Sequence, residues 1–181
     1  MAFNINNFRA ELSRSGISKT SLYEVFIFGP SNISNFDVER GVSLRAIQTD
    51  LPNRAIQTID YKISGPGYKI GYDSLFSELN MSLILSEDHK EKIYMEEWQD
   101  LIVGSYRTGE ISQQMFEIGF YDDYKGKIII RNFNDVGDIV SEIELIDCYP
   151  SAIGNISLSW QSTEIALLPV TFTYRYIKNV I

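Results

Sequence analysis

The chain contains one histidine and one cysteine, which limits the chemistry that its side chains can perform. A nucleophilic triad needs a base beside the nucleophile. His89 stands in a charged helical turn between Asp88 and Lys90, so we interpret it as a solvated surface residue. Cys148 lies in an apolar run, where a thiol is typically a small buried side chain, and a single cysteine cannot form an intrachain disulfide. We therefore predict no catalytic residue and no enzymatic activity.

Metal and phosphate sites are not indicated by the remaining candidate groups. Zinc takes three or four Cys or His ligands, and Asp135 with Asp138 lacks the ligand spacing of a calcium loop. Gly65, Pro66 and Gly67 are not followed in register by a helix start, Lys or Ser/Thr, so they predict a hairpin turn rather than a phosphate loop. We expect no metal and no cofactor.

Glu142 and Glu144 are the remaining candidate pair, because residues two apart share one face of a strand. A carboxylate pair can perform acid–base chemistry, but we interpret these two as acids on a solvated strand face. The chain as a whole has 16 Lys+Arg against 24 Asp+Glu, a net charge of −8. That balance argues against tight binding to phosphate backbones or anionic lipid.

The C-terminal third predicts four consecutive strands. Residues 128–133 and 139–148 read as a hairpin around the turn 134–138, with Pro150 ending its second strand. A third strand is predicted around 156–161, where Ile156, Leu158 and Trp160 alternate with polar residues. The fourth, 168–176, alternates in the same way, and Pro169 restricts its start to an edge or a bulge.

The N-terminal part predicts shorter elements separated by turns. We expect a helical turn at 8–12, a strand covered on both faces at 22–28, a loop-rich region over 34–49 with one strand at 42–48, a strand at 79–85, a strand at 115–121 and a turn at 122–126.

A hairpin is predicted at 58–72, and its apolar face is thin for a core element. Ile59, Tyr61 and Ile63 form that face on the first strand, and Gly65, Pro66 and Gly67 turn the chain. We expect the hairpin to project from the body and to bury this face against another molecule. These six residues are the predicted inter-subunit contacts.

One long helix is predicted, over residues 86–103. Ser86 is placed to cap it, Glu87 and Asp88 fall in its first turn, and Gly104 ends it. Its inward stripe follows the helical spacing i, i+4, i+7, i+8, and its residues are Tyr94, Trp98, Leu101 and Ile102.

With 181 residues, 44% of them hydrophobic, the sequence predicts one domain spanning 1–181 with a short N-terminal segment, 1–20. The fold class is mostly β (α+β): an antiparallel β-barrel or sandwich with one packed helix. The N-terminal residues show neither the basic region nor the apolar region of a signal peptide. No stretch approaches the about 18 uninterrupted apolar residues of a transmembrane helix. We expect a soluble protein, made in the cytoplasm, with no membrane partner.

The order of these elements resembles the tail tube proteins of contractile-tailed bacteriophages, whose fold is shared with the tubes of type VI secretion and related injection systems. The resemblance covers nearly the whole chain and is strongest in the C-terminal third. The residues that carry it are Phe8, Gly16 and 22–27; Leu51, Pro52 and the hairpin to Gly71; the strand 79–85 and the Trp98 helix; and 142–145, 149–151, Gly154, 158–160, Glu164 and Ile165.

The resemblance implies a structural virion protein of the inner tail tube. Its subunits would close into homohexameric rings by joining sheets edge to edge, and the rings would stack into a self-assembling tube that conducts genomic DNA without binding it tightly. The implied partners are the sheath, baseplate and tail terminator proteins, with assembly in the host cytoplasm. Asp60, Glu142 and Glu144 are the candidate lumen residues, since an acidic lumen would not retain DNA.

Three alternatives remain open at this point. The chain is alternatively a baseplate protein that initiates the tube, the tube of a non-phage contractile injection system, or a monomeric β-barrel that binds a small ligand. A ligand barrel would remain a monomer at high concentration, whereas tube subunits would form rings or filaments.

Overall fold

The computed structural model describes residues 5–33, 36–62, 65–104, 116–161 and 164–180. Four helices and nine strands are formed in this part of the chain. The helices are α1 (Ile5–Ser15), α2 (Phe36–Leu44), α3 (Lys90–Ile102) and α4 (Tyr121–Tyr124). The strands are β1 (Tyr23–Phe28), β2 (Ala46–Thr49), β3 (Arg54–Tyr61), β4 (Tyr68–Phe76), β5 (Leu79–Ile84), β6 (Gly126–Phe133), β7 (Ile139–Ile153), β8 (Leu167–Thr173) and β9 (Tyr176–Asn179).

The long strand β7 connects two antiparallel sheets. Residues 139–148 pair with β6, which in turn pairs with β1, and residues 143–146 also pair with β9; we call these strands the first sheet. Residues 149–153 pair with β8, followed by β5 and β2, and these form the second sheet. The strand changes direction at Asp147, whose φ of 54° lies in the left-handed region that Asp tolerates better than most side chains. The sequence predicted that Pro150 ends this strand. That prediction is wrong, because β7 continues to Ile153.

The core lies between the two sheets and α3, so the architecture is sandwich-like and not a closed barrel. Alternate residues of β5 and β8 are buried, which confirms the predicted period-two pattern of these two strands. The strand predicted at 22–28 forms as β1 but is not covered on both faces, since Val25 and Ile27 are buried while Phe28 is exposed. The largest fully buried side chains are Ile27, Val42, Leu79, Met81, Leu83, Met95, Trp98, Ile128, Ile130, Leu145, Leu168 and Phe172. The mostly β fold class is confirmed.

The strand prediction for 156–161 is wrong. Among the described residues, none between β7 and β8 is in a strand, because residues 149–153 of β7 already occupy the position beside β8. Pro169 was expected to restrict the start of its strand to a sheet edge or a bulge, but β8 pairs on both sides and is not an edge strand. A register irregularity does occur where β7 pairs with β8, but it lies between Pro150 and Ala152 of β7. The predicted final strand 168–176 is divided into β8 and β9, so Tyr174 is buried while Tyr176 is exposed.

The strand predicted at 42–48 is divided, because residues 42–44 form the end of helix α2 and β2 starts only at Ala46. The helix places Ser43 and Glu39, four residues apart, along the outer edge of β1. The N–H of Ile27 donates to Ser43 Oγ at 2.9 Å, and the N–H of Gly29 donates to Glu39 Oε1 at 3.0 Å. The helix thus satisfies two backbone donors that an open edge would leave to solvent.

Three further boundaries differ from the sequence-based expectation. Helix α1 is longer than the helical turn predicted at 8–12. Tyr121–Tyr124 forms a short helix where a turn was predicted, and residues 116–120 contribute only an isolated bridge between Ile118 and Val103. Met115, the start of the strand predicted there, lies outside the described residues.

Candidate assembly surfaces

The hairpin of β3 and β4 forms a two-stranded sheet separate from the rest of the fold. Ile59 pairs with Ile70 and Tyr61 with Tyr68, whose rings meet edge to face with centroids 5.4 Å apart. Ile59 is 58% exposed and Tyr61 41% exposed, and Tyr68 and Ile70 are exposed beside them. We call these four side chains the hairpin patch. Ile63, the third residue predicted for this face, lies outside the described residues.

The hairpin is ordered by its own cross-strand contacts. The Tyr72 hydroxyl donates to Gln57 Oε1 at 2.5 Å, beside the register shift between Gln57 and Thr58. A Cβ at Gly71 would lie 2.9 Å from Ile56 Cγ2, so a glycine at this position of β4 leaves room for the Ile56 side chain of β3. In the predicted turn, Gly65 has φ 84°, a conformation that favours glycine.

The base of the hairpin is fixed to the core. Phe76 at the end of β4 packs on Tyr174 with ring centroids 6.0 Å apart, and β5 starts three residues later at the buried Leu79. Beyond this base the residues of β3 and β4 are almost all exposed, and the expectation that the hairpin projects to meet another molecule stays a prediction.

The outer face of the first sheet, which points away from the core, carries a cross-strand ladder of charges. Arg131 Nε donates to Glu142 Oε2, and the Arg131 guanidinium lies 4.9 Å from the centroid of the Phe26 ring. Lys127 Nζ donates to Glu144 Oε1 at 3.1 Å, while Lys178 Nζ lies 3.5 Å from Glu144 Oε2. The acids of β7 are therefore paired with cations from both neighbouring strands.

These pairs correct the prediction that Glu142 and Glu144 lie on a wet face. Glu142 is only 9% exposed, and the Glu144 side chain is also mostly covered. The hydrogen bond from Lys127 and the charges of Lys127 and Lys178 hold the pKa of Glu144 below its ordinary value against partial desolvation. Asp60, the third lumen candidate, is exposed in β3 of the separate hairpin. The fold therefore brings together two of the three acids.

The predicted inward stripe of α3 is confirmed for its central residues. Trp98 and Tyr94 are buried, with ring centroids 6.1 Å apart, and Trp98 Nε1 donates to the Tyr124 carbonyl at 2.6 Å. Leu101 and Ile102 are half-buried. The Tyr94 hydroxyl donates to Glu39 Oε1 at 3.0 Å, and burial together with this carboxylate raises the pKa of Tyr94.

The start of α3 contains a site that sequence reasoning missed. The helix begins at Lys90, not at the predicted position 86, because His89 has φ 52° and interrupts the helical backbone. The buried Glu91 carboxylate accepts hydrogen bonds from Ser86 N–H at 2.9 Å and from Ser86 Oγ at 2.8 Å, and it lies 3.2 Å from Arg45 Nε. Although burial alone raises it, the pKa of Glu91 is lowered by these donors.

Among the described residues, no three His, Cys, Asp or Glu side chains are grouped so as to hold a metal ion. Cys148 is buried, and desolvation raises the pKa of its thiol. In the same part of the chain, no helix combines the length and hydropathy needed to span a bilayer.

The fold is a β-sandwich that exposes an apolar hairpin and a charge-paired sheet face. Residues 6–179 match the sequence profile of the family described as "Phage tail tube protein". The chain therefore belongs to the phage tail tube protein family, and its role is structural, in the tube of a phage tail or contractile injection system.

One phage protein and two solved structures are similar to this chain. The chain is 25% identical over 130 residues to the tail tube protein gp19 of Enterobacteria phage T4, covering 71% of this chain and 76% of that protein. Its fold is similar to a chain of the PVC extracellular contractile injection system sheath–tube complex in the extended state (TM-score 0.63, 13% identity, 94% of this chain and 95% of that chain). It is also similar to a chain of the anti-feeding prophage baseplate (TM-score 0.64, 12% identity, 92% and 97% of the two chains).

Proposed function

We propose that this protein closes into hexameric rings that stack into the inner tail tube of a contractile phage, through which the genome passes during ejection. Membership of the tail tube family supports the proposal that the protein forms a tube. The first sheet supports the proposed lining of the lumen. One face of that sheet packs on the core, and the opposite face carries the charge ladder. This two-faced sheet is the observation that carries the proposal.

Ring closure needs strand edges that a neighbour can reach. Within the described part of the chain, β9 pairs only with β7, so its other edge has no strand partner. The outer edge of β1 is partly occupied, because α2 binds the N–H groups of Ile27 and Gly29. The β9 edge is therefore the proposed first contact between neighbours in a ring.

The outer face of the first sheet is the proposed lumen wall. Its strands present three carboxylates, Glu24, Glu142 and Glu144, and three cations, Lys127, Arg131 and Lys178, so the formal charge of this face is zero. Pairing leaves these cations little capacity to bind phosphates, and passing DNA would meet a wall that does not retain it. Asp60 on the hairpin adds an exposed carboxylate to the proposed lumen.

The proposed partners are a sheath protein outside the tube and baseplate and tail terminator proteins at its ends. The same fold occurs in a sheath–tube complex, a tube-terminating cap and a baseplate, which supports all three contacts. The proposed location is the inner tube of the virion tail, after assembly in the host cytoplasm. The baseplate likeness favours a tube initiator as the second candidate function, and the tube of a non-phage injection system is the third.

Negative-stain electron microscopy of the purified full chain tests the proposal. We expect rings with six-fold class averages, and filaments of stacked rings at higher concentration. A monodisperse monomer at every concentration, with no ring or filament, would contradict it.

A further inference from the structure

Residues 116–120, which we call the 116–120 strip, lie in an extended conformation beside the last turn of α3. The N–H of Gly119 donates to the Ile102 carbonyl at 2.9 Å. A Cβ at Gly119 would overlap the Leu101 carbonyl oxygen, so the glycine allows this close approach. The strip is therefore fixed to the body of the subunit along one side.

Three large apolar side chains of the strip are exposed to solvent. Phe116 is 74% exposed, Ile118 80% and Phe120 82%. Phe116 has φ 64°, a left-handed conformation that is uncommon for a bulky residue and persists only where the surrounding structure fixes it. Monomeric proteins rarely expose large apolar side chains in one group, so the strip has the character of a contact surface.

Helix α3 crosses the end of the first sheet in the order of its strands. Tyr94 lies beside Gly29, which follows β1, and one turn later Trp98 lies over Gly126, which starts β6. Leu101, almost one turn further, lies beside the strip. The helix therefore places the strip beyond β6, on the side of β7 and β9.

Tyr121, the residue after the strip, fixes its end on that side. The Tyr121 hydroxyl donates to the Asp147 carbonyl of β7 at 3.4 Å. Asp147 Oδ2 in turn lies 3.5 Å from Nη1 of Arg175, the residue directly before β9. The strip thus ends beside the start of β9, whose outer edge is the proposed contact between ring neighbours.

The opposite edge of the first sheet carries an apolar groove between β1 and α2. This β1–α2 groove has a volume of about 410 Å³, and Phe26, Phe28 and Leu44 supply apolar side chains to its lining. Leu44 is 71% exposed. Because α2 already binds the edge N–H groups of Ile27 and Gly29, a neighbour binds this part of the edge through side chains rather than through strand pairing.

The groove and the strip lie at the same end of the sheet. Phe28 pairs with Lys127 of β6, and Lys127 pairs with Ile146 of β7. Ile146 pairs with Tyr176 of β9 and directly precedes Asp147, beside which the strip ends. One row of the sheet therefore leads from the groove at one edge to the strip at the other.

We propose that the 116–120 strip of one copy docks in the β1–α2 groove of the next copy in the ring. This inference rests on the proposed function, because it needs copies that close side by side. A heterologous contact requires two different surfaces on one chain, and β1 and β9 are the two edges of the first sheet. Since strip and groove share one row, neighbours meet without a shift along the strands.

The area of this contact fits an extension of the β9 edge. A buried aromatic side chain contributes about 150–250 Å². Phe116 and Phe120 together with Ile118 therefore supply on the order of half of the roughly 800 Å² that one partner of a stable interface buries. The β9 edge, which continues from the strip, supplies further area to the same neighbour.

Cysteine cross-linking in the full chain tests the contact, since the native Cys148 is buried. A chain carrying both Leu44→Cys and Ile118→Cys is assembled, oxidised and denatured. The two positions lie beyond opposite edges of four strands, about 14 Å apart or more at about 4.8 Å per spacing, too far for an intrachain disulfide. We expect a ladder of linked chains that ends at a covalent hexamer. Val136→Cys with Ile118→Cys is the control, because Val136 is exposed in the turn at the other end of β6.

A charge exchange tests the same pair without a disulfide. Ile118→Lys or Leu44→Glu alone should raise the concentration needed for rings by about tenfold or more, because each buries an unpaired charge at the contact. The two changes in one chain should restore most of the affinity, since the charges then meet across the contact. Both side chains are exposed in the single chain, so monomer melting temperatures should not change.

The outcomes separate the two proposals. Rings that give no ladder with Leu44→Cys and Ile118→Cys, or in which Ile118→Cys stays open to a maleimide reagent, would overturn the docking inference while the hexameric ring stands, and would leave the strip to a different protein. A double charge variant no better than the single ones would also count against docking. A wild-type chain that forms no rings would overturn both proposals.

Discussion

Trp98 lies directly over Gly126, where α3 crosses the start of β6. A Cβ on Gly126 would overlap Trp98 Cζ2 and would stand 2.5 Å from the Phe28 carbonyl oxygen. On its other side the indole ring packs against Phe172, with centroids 6.1 Å apart. The hydrogen at Gly126 is therefore what allows the largest core side chain to reach the sheet.

Gly126→Ala should destabilise the subunit by about 1–3 kcal/mol, because a rigid indole and a backbone carbonyl both resist the added methyl group. Urea denaturation of the soluble subunit measures the loss. Gly41→Ala is the control: a methyl group added to this helical glycine would meet nothing within 4 Å, and the change should be neutral or stabilising by up to about 1 kcal/mol. A Gly126→Ala subunit as stable as wild type would contradict the packing.

Glu91 should make stability depend on pH on the acidic side. Its folded pKa is lowered, so its stabilisation is fully present above the unfolded pKa, about 4.3, and is lost as the pH falls through the lower folded pKa. Glu91→Gln should cost about 1–3 kcal/mol at neutral pH and should flatten this acid limb. Melting temperatures of both proteins from neutral to acidic pH provide the measurement. Parallel curves would show that Glu91 is not the responsible group.

Replacing Ile59 and Tyr61 together with Ser should leave the melting temperature of the monomer nearly unchanged, since both side chains are exposed before assembly. Filaments should disappear, because the hairpin patch is lost. Calorimetry and electron microscopy on one preparation measure both effects. A monomer that melts many degrees earlier would place the hairpin in the core, and intact filaments would exclude it from assembly.

Glu144→Gln should slow DNA ejection without preventing tube formation. The change leaves Lys127 and Lys178 without their shared carboxylate and gives the proposed lumen wall one net positive charge per subunit. Phosphates would then be retained more strongly, most of all at low salt. Ejection rates of mutant and wild-type particles at two salt concentrations test this, with Glu24→Gln as a second acid on the same face. Equal rates at low salt would remove this face from the DNA path.

The sequence predicted those features that depend on local periodicity. Alternation identified β5 and β8 and their inward residues, apolar runs identified β1 and β6, and helical spacing identified Tyr94 and Trp98 as the inner face of α3. The pattern of the 58–72 segment predicted a hairpin, and β3 and β4 form a longer one over residues 54–76. The order of these elements was sufficient to indicate the family.

Periodicity cannot identify what a side chain contacts, and the errors follow from this. Leu158 and Trp160 alternate like strand residues, but the place beside β8 is already filled by β7, so they remain exposed. Glu142 and Glu144 alternate like solvated residues, yet cations on β6 and β9 cover them.

By itself, the sequence determined which residues can form strands, the long helix and the hairpin, because side-chain volume and polarity act locally along the chain. The tertiary structure alone decided that Gly126 lies under Trp98, that Arg45 pairs with Glu91, and that Arg131 pairs with Glu142. These relationships join residues far apart in the sequence, and they are set by strand order and register, which depend on the packing of the whole core.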